Sequence, residues 1–334
     1  MRGCARTSTS TVSRDPAQAL EALLRGLKAR KYCFVTPTPL THQRVLARDP
    51  GRLARDPRDV FGWNLPFDPS MIDPAWFTAM EQAGVLHEEP GGAMRSGVRV
   101  STLGGDAFLH SAFPTVEDDS VFFGPDTYRF ARFLDAAIDA RASSLSPGRT
   151  IRVLDVGCGS GAGGIAVARR LAAHGVRADV TLNDINPRAL RLACANAAAA
   201  DLSVTLALGD ALSAVEGDFD LIISNPPYMA DPRRRAYRDG GAGLGRELSV
   251  RIAAESLPRL ASDGRLLLYT GVAIIDGFDP FLAEVEPLLR ASGCEWSYEE
   301  IDPDVFGEEL EGPPYDRADR IAAVGLVATR VRTA

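Results

Sequence analysis

Residues 151–161, IRVLDVGCGSG, combine a buried-strand pattern with a glycine-rich turn, and they decide the predicted fold. The apolar run up to Val156 is typical of a parallel strand that is covered on both faces. Gly157 and Gly159 permit a sharp turn and a close approach of the backbone to a ligand. The following residues, AGGIAVARRLAA, have helical periodicity. A strand that leads through such a turn into a helix is the first unit of a doubly wound α/β fold, which binds ligands at the carboxyl ends of its strands.

Six further strands and three crossover helices are predicted around this unit. The predicted strands are ADVTLND (178–184), SVTLALGD (203–210), FDLIISNPP (219–227), GRLLLYTG (264–271), the stretch around CEWSYEEID (294–302) and IAAVGLVATRV (321–331). The predicted helices are GAGGIAVARRLAA (161–173), NPRALRLACANAAA (186–199) and GRELSVRIAAESLPRLA (245–261). This alternation predicts a Rossmann-like sheet of seven strands with right-handed crossovers. The last two strands lack a clear helix between them, which favours an antiparallel hairpin.

Acidic residues at the ends of the first three strands indicate the cofactor. Asp155 can hold the amino group of a methionine moiety, Asp184 can accept both hydroxyls of a ribose, and Asp210 has a spacing suited to the amine of an adenine. Residues 157–162 also satisfy GxGxxA, the dinucleotide fingerprint. Each Asp alone is equally explained as a helix N-cap. The set of three favours S-adenosylmethionine over NAD, because a dinucleotide offers no cation for Asp155 to hold.

The tetrapeptide Asn225-Pro226-Pro227-Tyr228 follows a buried strand and predicts chemistry on a planar nitrogen. Amide and aromatic amine nitrogens are poor nucleophiles because their lone pairs are delocalised. The Asn225 side-chain carbonyl and the Pro226 backbone carbonyl can accept the two N–H bonds of a planar NH₂ group, and Tyr228 can stack on it. Consecutive prolines fix the backbone that presents these acceptors. Such a site works through orientation and electrostatics without a strong base. The alternative is a tight Pro-Pro turn that ends a strand.

The motifs VLDVGCGSG, NDINPRAL, GDAL and ISNPPY, in this order, resemble class I S-adenosylmethionine-dependent methyltransferases of the small-domain group. That group includes the release-factor glutamine N5-methyltransferases and the adenine N6-methyltransferases. The resemblance covers roughly residues 121–270 and implies a methyltransferase domain over residues 116–334. It implies S-adenosylmethionine as cofactor, with Asp184 at the ribose and Asp210 beside the adenine ring.

The predicted site contains a catalytic group and a cofactor-binding group, and no metal. The catalytic group is Asn225, Pro226, Pro227 and Tyr228. The cofactor-binding group is Asp155, Gly157, Cys158, Gly159, Gly161, Asp184, Ile185, Asp210, Ala211, Asn225 and Thr127.

Two neighbouring segments bear on the acceptor. VFFGPDTYRF (121–130) occupies the position of VPRPET in the glutamine methyltransferases but has no Arg before a Glu, which weakens the case for a release-factor substrate. Asp126 and Thr127 in this segment can contact the cofactor or cap the following helix. After Tyr228 come four arginines, Arg233, Arg234, Arg235 and Arg238, which can hold phosphates or acidic side chains or form a solvated loop. DGGAGLG (239–245) resembles the corresponding loop of the glutamine methyltransferases.

The sequence of the N-terminal third indicates a separate accessory domain. Residues 1–14 are rich in Ser, Thr and Arg and predict a disordered tail. PAQALEALLRGLKARKY (16–32) and DPAWFTAMEQAGVLHEE (73–89) have helical spacing, the second with Asp73 as N-cap and Pro74 at the first position. Two alternating runs around Gly-rich breaks follow. Residues 15–115 therefore predict a small α+β domain, either winged-helix-like or an irregular cap over the active site, that recognises the substrate.

Composition limits the partners and the compartment. The formal charge is -7 and the pI is near 5.3, so the whole-protein field repels a polyphosphate unless basic groups gather on one face. Five scattered cysteines form no CxxC pair, which argues against a disulfide framework or a zinc site. Neither a membrane span nor a secretory signal is evident, so the sequence predicts a cytoplasmic protein without membrane association.

The sequence therefore predicts an S-adenosylmethionine-dependent N-methyltransferase that acts on a protein glutamine side chain. The first alternative is an adenine or guanine amino group of RNA or DNA, since the motif does not separate the two, and a small-molecule amide or amine is a third. A non-catalytic cofactor-binding protein would show damage at Asn225 or the glycine turn, and none is visible. A nicotinamide oxidoreductase would need a proton donor near the cofactor. Of the four histidines, His42, His87 and His110 precede the nucleotide-binding region, and His174 ends a crossover helix. The sequence does not predict an oligomeric state.

Overall fold

The computed structural model describes residues 15–331, so the predicted tail at residues 1–14 lies outside the described residues. The first part of the chain forms four helices and two short antiparallel ladders. The helices are α1 (Pro16–Ala29), α2 (Pro39–Leu46), α3 (Pro57–Phe61) and α4 (Pro74–Gln82). The strands are β1 (Leu86–Glu88), β2 (Met94–Ser96), β3 (Val98–Leu103) and β4 (Asp106–Ser111), paired β1 with β2 and β3 with β4.

Each of these four helices begins in the same way. A side-chain oxygen of Asp15, Thr38, Asp56 or Asp73 accepts a hydrogen bond from a backbone N–H of the first turn, and a proline follows immediately. Proline suits this position because its missing N–H has no partner inside the helix. Local sequence alone therefore accounts for where these helices start.

The remaining chain forms one large sheet with flanking helices. Its strands are β5 (Thr150–Val156), β6 (Arg177–Asp184), β7 (Val204–Leu208), β8 (Phe219–Ser224), β9 (Leu260–Ile274), β10 (Glu295–Asp302) and β11 (Arg320–Thr329). Its helices are α5 (Pro125–Asp139), α6 (Ala162–Ala173), α7 (Pro187–Ala199), α8 (Ala242–Gly245), α9 (Glu247–Ser256) and α10 (Pro280–Ser292).

The sheet has the order β10-β11-β9-β8-β5-β6-β7. Strands β5 to β9 are mutually parallel, whereas β11 runs antiparallel to both β9 and β10. The predicted seven-stranded Rossmann-like fold and its terminal hairpin are therefore confirmed. Strand order reverses direction at β5, which lies between β6 and β8, and a ligand crevice is expected there.

Three sequence predictions about elements need correction. The helix predicted over 73–89 ends at Gln82, because Gly84 adopts a φ of +67° and the chain then enters β1. The apolar run SVTLALGD is likewise typical of a strand that is covered on both faces, but β7 forms the sheet edge and leaves Leu208 57% exposed. Helix α10 was not predicted, although Asp279 caps it and Pro280 begins it.

The N-terminal elements pack directly against α7. Apolar residues of α1, including Leu20 and Leu24, share one buried cluster with Leu192 and Ala195 of α7. Asn196 of α7 also bonds the backbone of Leu109 in both directions, with its Oδ1 accepting at 2.8 Å and its Nδ2 donating at 3.1 Å. The first third of the chain therefore forms a wall against the large sheet. Within residues 15–331, no helix combines the length and apolarity that crossing a bilayer requires.

Candidate active site

A cavity of about 400 Å³ opens where β5, β6 and β8 end. The glycine turn and the strand-end acids form one side of its lining, residues 225–229 and 235–238 another, and parts of residues 36–43 and 99–127 the third. Every residue of the predicted site lines this cavity except Gly161. The structure thus brings the predicted catalytic and cofactor-binding groups together.

Gly161 needs a different explanation from the predicted cofactor contact. It precedes α6 with a φ of +77°, and a Cβ there would lie 3.1 Å from the Ala193 Cβ and 3.2 Å from the Leu182 Cδ1. Its role is therefore close packing of the turn against β6 and α7. Gly157 and Gly159 also have positive φ values, but a Cβ on either would meet nothing within 4 Å, which leaves the cavity side of the turn open.

Asp155 lies at the bottom of the cavity and is only 2% exposed. Burial raises the pKa of Asp155 to about 7; a hydrogen bond from the Gly164 N–H at 2.8 Å opposes the rise and the nearby Asp184 charge adds to it. A cationic group in the cavity would favour the ionised carboxylate. Asp155 therefore fits the ammonium partner that the sequence predicted.

Asp184 ties the glycine turn to the end of β6. Its Oδ2 accepts from the Gly159 N–H and its Oδ1 from the Asn186 N–H, both at 2.8 Å. Burial raises the pKa of Asp184, and these backbone donors work against the rise. Each carboxylate oxygen has a second lone pair, so the same group can also accept from a pair of hydroxyls in the cavity.

Asp210 is less available than the sequence suggested. Both of its oxygens accept from Arg251, at 2.6 and 2.8 Å, and this pairing lowers the pKa of Asp210. The residue still lines the cavity beside Ala211. A ligand amine would share the carboxylate with Arg251.

The Asn225–Tyr228 segment is held by its neighbours on both sides. The Ser224 Oγ donates to the Val156 carbonyl at 2.8 Å, which fixes the end of β8 beside β5. A Cβ at Gly245 would lie 2.2 Å from the Tyr228 carbonyl oxygen, so only glycine permits the loop 239–245 to pack on this backbone. Among residues 15–331, the Asn225 side-chain amide forms no hydrogen bond. It is therefore free to bind a ligand.

Sequence comparison agrees with this geometry. Residues 130–270 match the family model described as Methyltransferase small domain. Residues 130–270 of this chain therefore form a methyltransferase small domain.

Relatives of this chain carry different substrates in their names. The chain is 37% identical over 171 residues to the Release factor glutamine methyltransferase of Deinococcus radiodurans, covering 47% of this chain and 55% of that protein. It is 38% identical over 95 residues to the Ribosomal RNA small subunit methyltransferase C of Cronobacter sakazakii, covering 28% and 27%. The chain thus spans about half the length of the glutamine methyltransferase. Among solved structures, the M. jannaschii tRNA m1G37 methyltransferase has a TM-score of 0.45 at 16% identity, over 71% of this chain and 58% of that chain.

Asp126 has a role that the sequence did not reveal. Its Oδ2 accepts from the Tyr228 hydroxyl at 2.5 Å, its Oδ1 from the Tyr269 hydroxyl at 2.8 Å, and Arg129 pairs with it at 3.2 Å. The helix cap is Gly124, whose N–H donates to the Thr127 Oγ1 at 3.2 Å. Asp126 therefore fixes the orientation of Tyr228 and caps nothing.

The predicted arginine cluster divides into two parts. Arg235 pairs with Asp231 and Arg238 with Glu309, and both arginines line the cavity. Arg233 and Arg234 are exposed and lie outside the lining. The four arginines therefore do not form one continuous basic surface.

The sequence offered an N-terminal cap over the active site as one alternative, but it did not reveal which residues of this region line the cavity. Thr36, His42, Arg99 and Phe113 all line the cavity. The His42 ring stacks on Phe113 at 4.0 Å between centroids, and burial lowers the pKa of His42 to about 4. Thr36 and His42 lie far in sequence from Arg99 and Phe113 and form no motif with them, so only the fold brings the two pairs together.

Proposed function

We propose that this protein transfers a methyl group from S-adenosylmethionine to the nitrogen of a planar amide or amino group, and that the acceptor is a protein glutamine side chain. The observation that carries the proposal is the placement of Asn225–Tyr228 and of two buried strand-end acids, Asp155 and Asp184, on one cavity.

The residues present fit this cofactor. Asp155 offers a buried carboxyl group with a raised pKa, and a neighbouring cation would lower that pKa. Asp184 offers carboxylate lone pairs to the hydroxyls of a ribose. Gly157 and Gly159 leave room for a ligand against the backbone. When bound, the cofactor supplies a methyl group on a positively charged sulfur.

The chain's own contribution to transfer is orientation. The Asn225 side-chain carbonyl and the Pro226 backbone carbonyl accept the two N–H bonds of the acceptor, which turns its lone pair towards the methyl group. Tyr228 forms a platform whose position Asp126 fixes. These fixed dipoles stabilise positive charge as it develops on nitrogen, and preorganised dipoles are effective in a site that excludes water.

The glutamine acceptor is favoured over a nucleobase by two features. Relatives named for release-factor glutamine methylation match 46% to 56% of the chain, and relatives named for ribosomal RNA methylation match 28% to 37%. The formal charge of -7 also opposes binding of a polyanionic nucleic acid. An amino group of RNA or DNA is the second candidate, supported by the relatives named for ribosomal RNA methylation.

Isothermal titration with S-adenosylhomocysteine, in parallel with NAD, tests the cofactor. We expect the homocysteine compound to bind the wild type and NAD not to bind. Asp184→Ala should abolish binding, whereas Asp179→Ala, an exposed aspartate on the same strand, should retain it. Binding of NAD, or equal effects of the two substitutions, would overturn the assignment.

A second experiment separates cofactor binding from transfer. Asn225→Ala, assayed when saturated with cofactor, should lose methyl transfer to a glutamine-containing release factor by about a hundredfold or more. Titration of the same variant with S-adenosylhomocysteine measures how much its cofactor affinity changes. Radiolabelled methyl transfer to release factor and to ribosomal RNA, assayed side by side, decides between the two acceptors.

A further inference from the structure

Arg99 is a buried cation in the wall that β3 supplies to the cavity. The residue is 5% exposed, its Nε donates to the Ser111 carbonyl at 3.1 Å, and its guanidinium carbon lies 5.8 Å from the centroid of the Phe113 ring. Its terminal nitrogens make no hydrogen bond to any residue that the structure describes. Arg99 therefore has unused donors at the cavity.

No acidic residue in the range 15–331 forms an ion pair with Arg99. The other two cavity arginines differ, because Arg235 pairs with Asp231 and Arg238 with Glu309. Burial lowers the pKa of Arg99 to about 10, which still leaves the guanidinium charged at neutral pH. A buried charge without a partner is unfavourable, so proteins rarely keep one unless a ligand supplies the opposite charge.

We propose that Arg99 binds a carboxylate of the methyl acceptor, and that this carboxylate is the single negative charge beside the glutamine amide that is methylated. This proposal rests on the proposed function and names its substrate class.

The position of Arg99 assigns it to the acceptor side. Its wall also contains Thr115, whose carbonyl accepts from the Tyr237 hydroxyl at 2.7 Å. Tyr237 belongs to the loop that follows Asn225–Tyr228, so the wall closes onto the part of the cavity that holds the nitrogen to be methylated. The strand-end acids of the cofactor side come from β5 and β6 instead.

Because Arg99 is the unpaired arginine in the cavity lining within residues 15–331, the cavity suits an acceptor with one negative charge. A polynucleotide carries a charge at every residue and is held through several phosphate contacts. Three arginines line the cavity among the described residues, and two of them are already paired with acids, Arg235 with Asp231 and Arg238 with Glu309. A carboxylate held by Arg99 requires neither of these pairs to break, and the planar guanidinium suits its two oxygens.

The test uses two pairs of probes on the full chain saturated with S-adenosylhomocysteine. N-acetylglutamine and N-acetylglutaminamide share the side-chain amide but differ by a carboxylate, and AMP and adenosine differ by a phosphate. By isothermal titration, the wild type should bind N-acetylglutamine about tenfold more tightly than the neutral amide. Arg99→Gln should remove this preference and leave the affinity for the neutral amide unchanged.

Two further variants secure the comparison. Arg95→Gln, on the neighbouring strand β2 and paired with Glu89, should retain the preference. Arg99→Lys keeps the charge without the two-pronged geometry and should retain part of it, which also provides a reading if the Gln variant does not fold. Acetate has a carboxylate but no amide, so its binding does not depend on the distance between the two groups. It should protect the wild type from thermal unfolding and fail to protect Arg99→Gln.

Three results would overturn the proposal. Equal affinity of the wild type for the two glutamine probes would show that the carboxylate is not recognised. Loss of a preference for AMP over adenosine in Arg99→Gln, with the glutamine pair unaffected, would assign Arg99 to a phosphate. A loss of about tenfold in the affinity of Arg99→Gln for S-adenosylhomocysteine would assign Arg99 to the cofactor's own carboxylate. Failure of the proposed function would appear separately, because the wild type would then not bind S-adenosylhomocysteine. For this reason the two glutamine probes are also titrated in the absence of S-adenosylhomocysteine.

Discussion

Replacing Tyr228 by Phe tests whether Asp126 fixes the aromatic platform of the site. The substitution keeps the ring and removes only the hydroxyl, which donates to the Asp126 Oδ2 at 2.5 Å. Burial, with the Asp126 charge adding to it, raises the pKa of Tyr228 far above its usual value, so the hydroxyl keeps its proton. The perturbation is thus the loss of one buried hydrogen bond to a carboxylate.

The expected cost follows from the partners that remain. Hydrogen bonds to charged groups contribute about 1.5–3 kcal/mol to stability. Asp126 would still accept from Tyr269 and pair with Arg129, so the carboxylate is not left alone. We therefore expect a loss near the lower end, about 1.5–2 kcal/mol.

Tyr298→Phe is the matched control because the Tyr298 hydroxyl also donates to an aspartate, Asp279, at 2.6 Å. That pair lies away from the cavity and is only partly buried, so water can replace the bond and the loss should be about 0.5–1 kcal/mol. Urea denaturation followed by circular dichroism measures both variants. Equal losses, or no loss for Tyr228→Phe, would refute the assignment of Asp126 as the anchor of the platform.

Three other predictions concern the same site. Gly271→Ala places a methyl group 2.2 Å from the Tyr228 ring and should cost about 1–3 kcal/mol in urea denaturation, whereas Gly312→Ala meets nothing within 4 Å and should change stability by less than about 0.5 kcal/mol. Asp155→Asn should gain stability relative to the wild type as the pH rises from 3.8 to about 7. In this range the native wild type keeps a proton on Asp155 because its pKa is raised, whereas the unfolded chain releases it. Urea denaturation at stepped pH measures the free energy of unfolding of both proteins, and the same pH dependence for both would contradict this. The wild type should lose more stability than His42→Phe as the pH falls from 6.5 to about 4. In this range His42 takes up a proton in the unfolded chain but not in the native state. The same denaturation series would contradict this if both proteins lost stability equally.

The sheet could be predicted because its signals are local. Apolar runs such as IRVLDV and FDLIIS lie in strands buried on both faces, and their order alternates with helical patterns. Helix α10 was missed because Pro287 interrupts the pattern EVEPLLR, although the Asp279-Pro280 start signal was present. The exposure of β7 depends on its place at the sheet edge, which no local pattern encodes.

The cofactor side of the site was predictable for the same reason. Asp155 and Asp184 each follow a strand, and parallel strands bring their carboxyl ends to one edge. Asp126 was ambiguous in the sequence because a carboxylate near a helix start usually suggests a cap. Its actual partners, Tyr228 and Tyr269, lie 102 and 143 residues further along the chain.

The family match and the acceptor wall occupy different parts of the chain. The match covers residues 130–270, which supply the strand-end acids and Asn225–Tyr228. Thr36, His42 and Arg99 come from before it, yet they line the same cavity. Under the proposed function, the matched residues carry out transfer and the residues before the match select the acceptor. Substitutions at Arg99 should change which amide is methylated, whereas substitutions at Asn225 should reduce methylation of every acceptor alike.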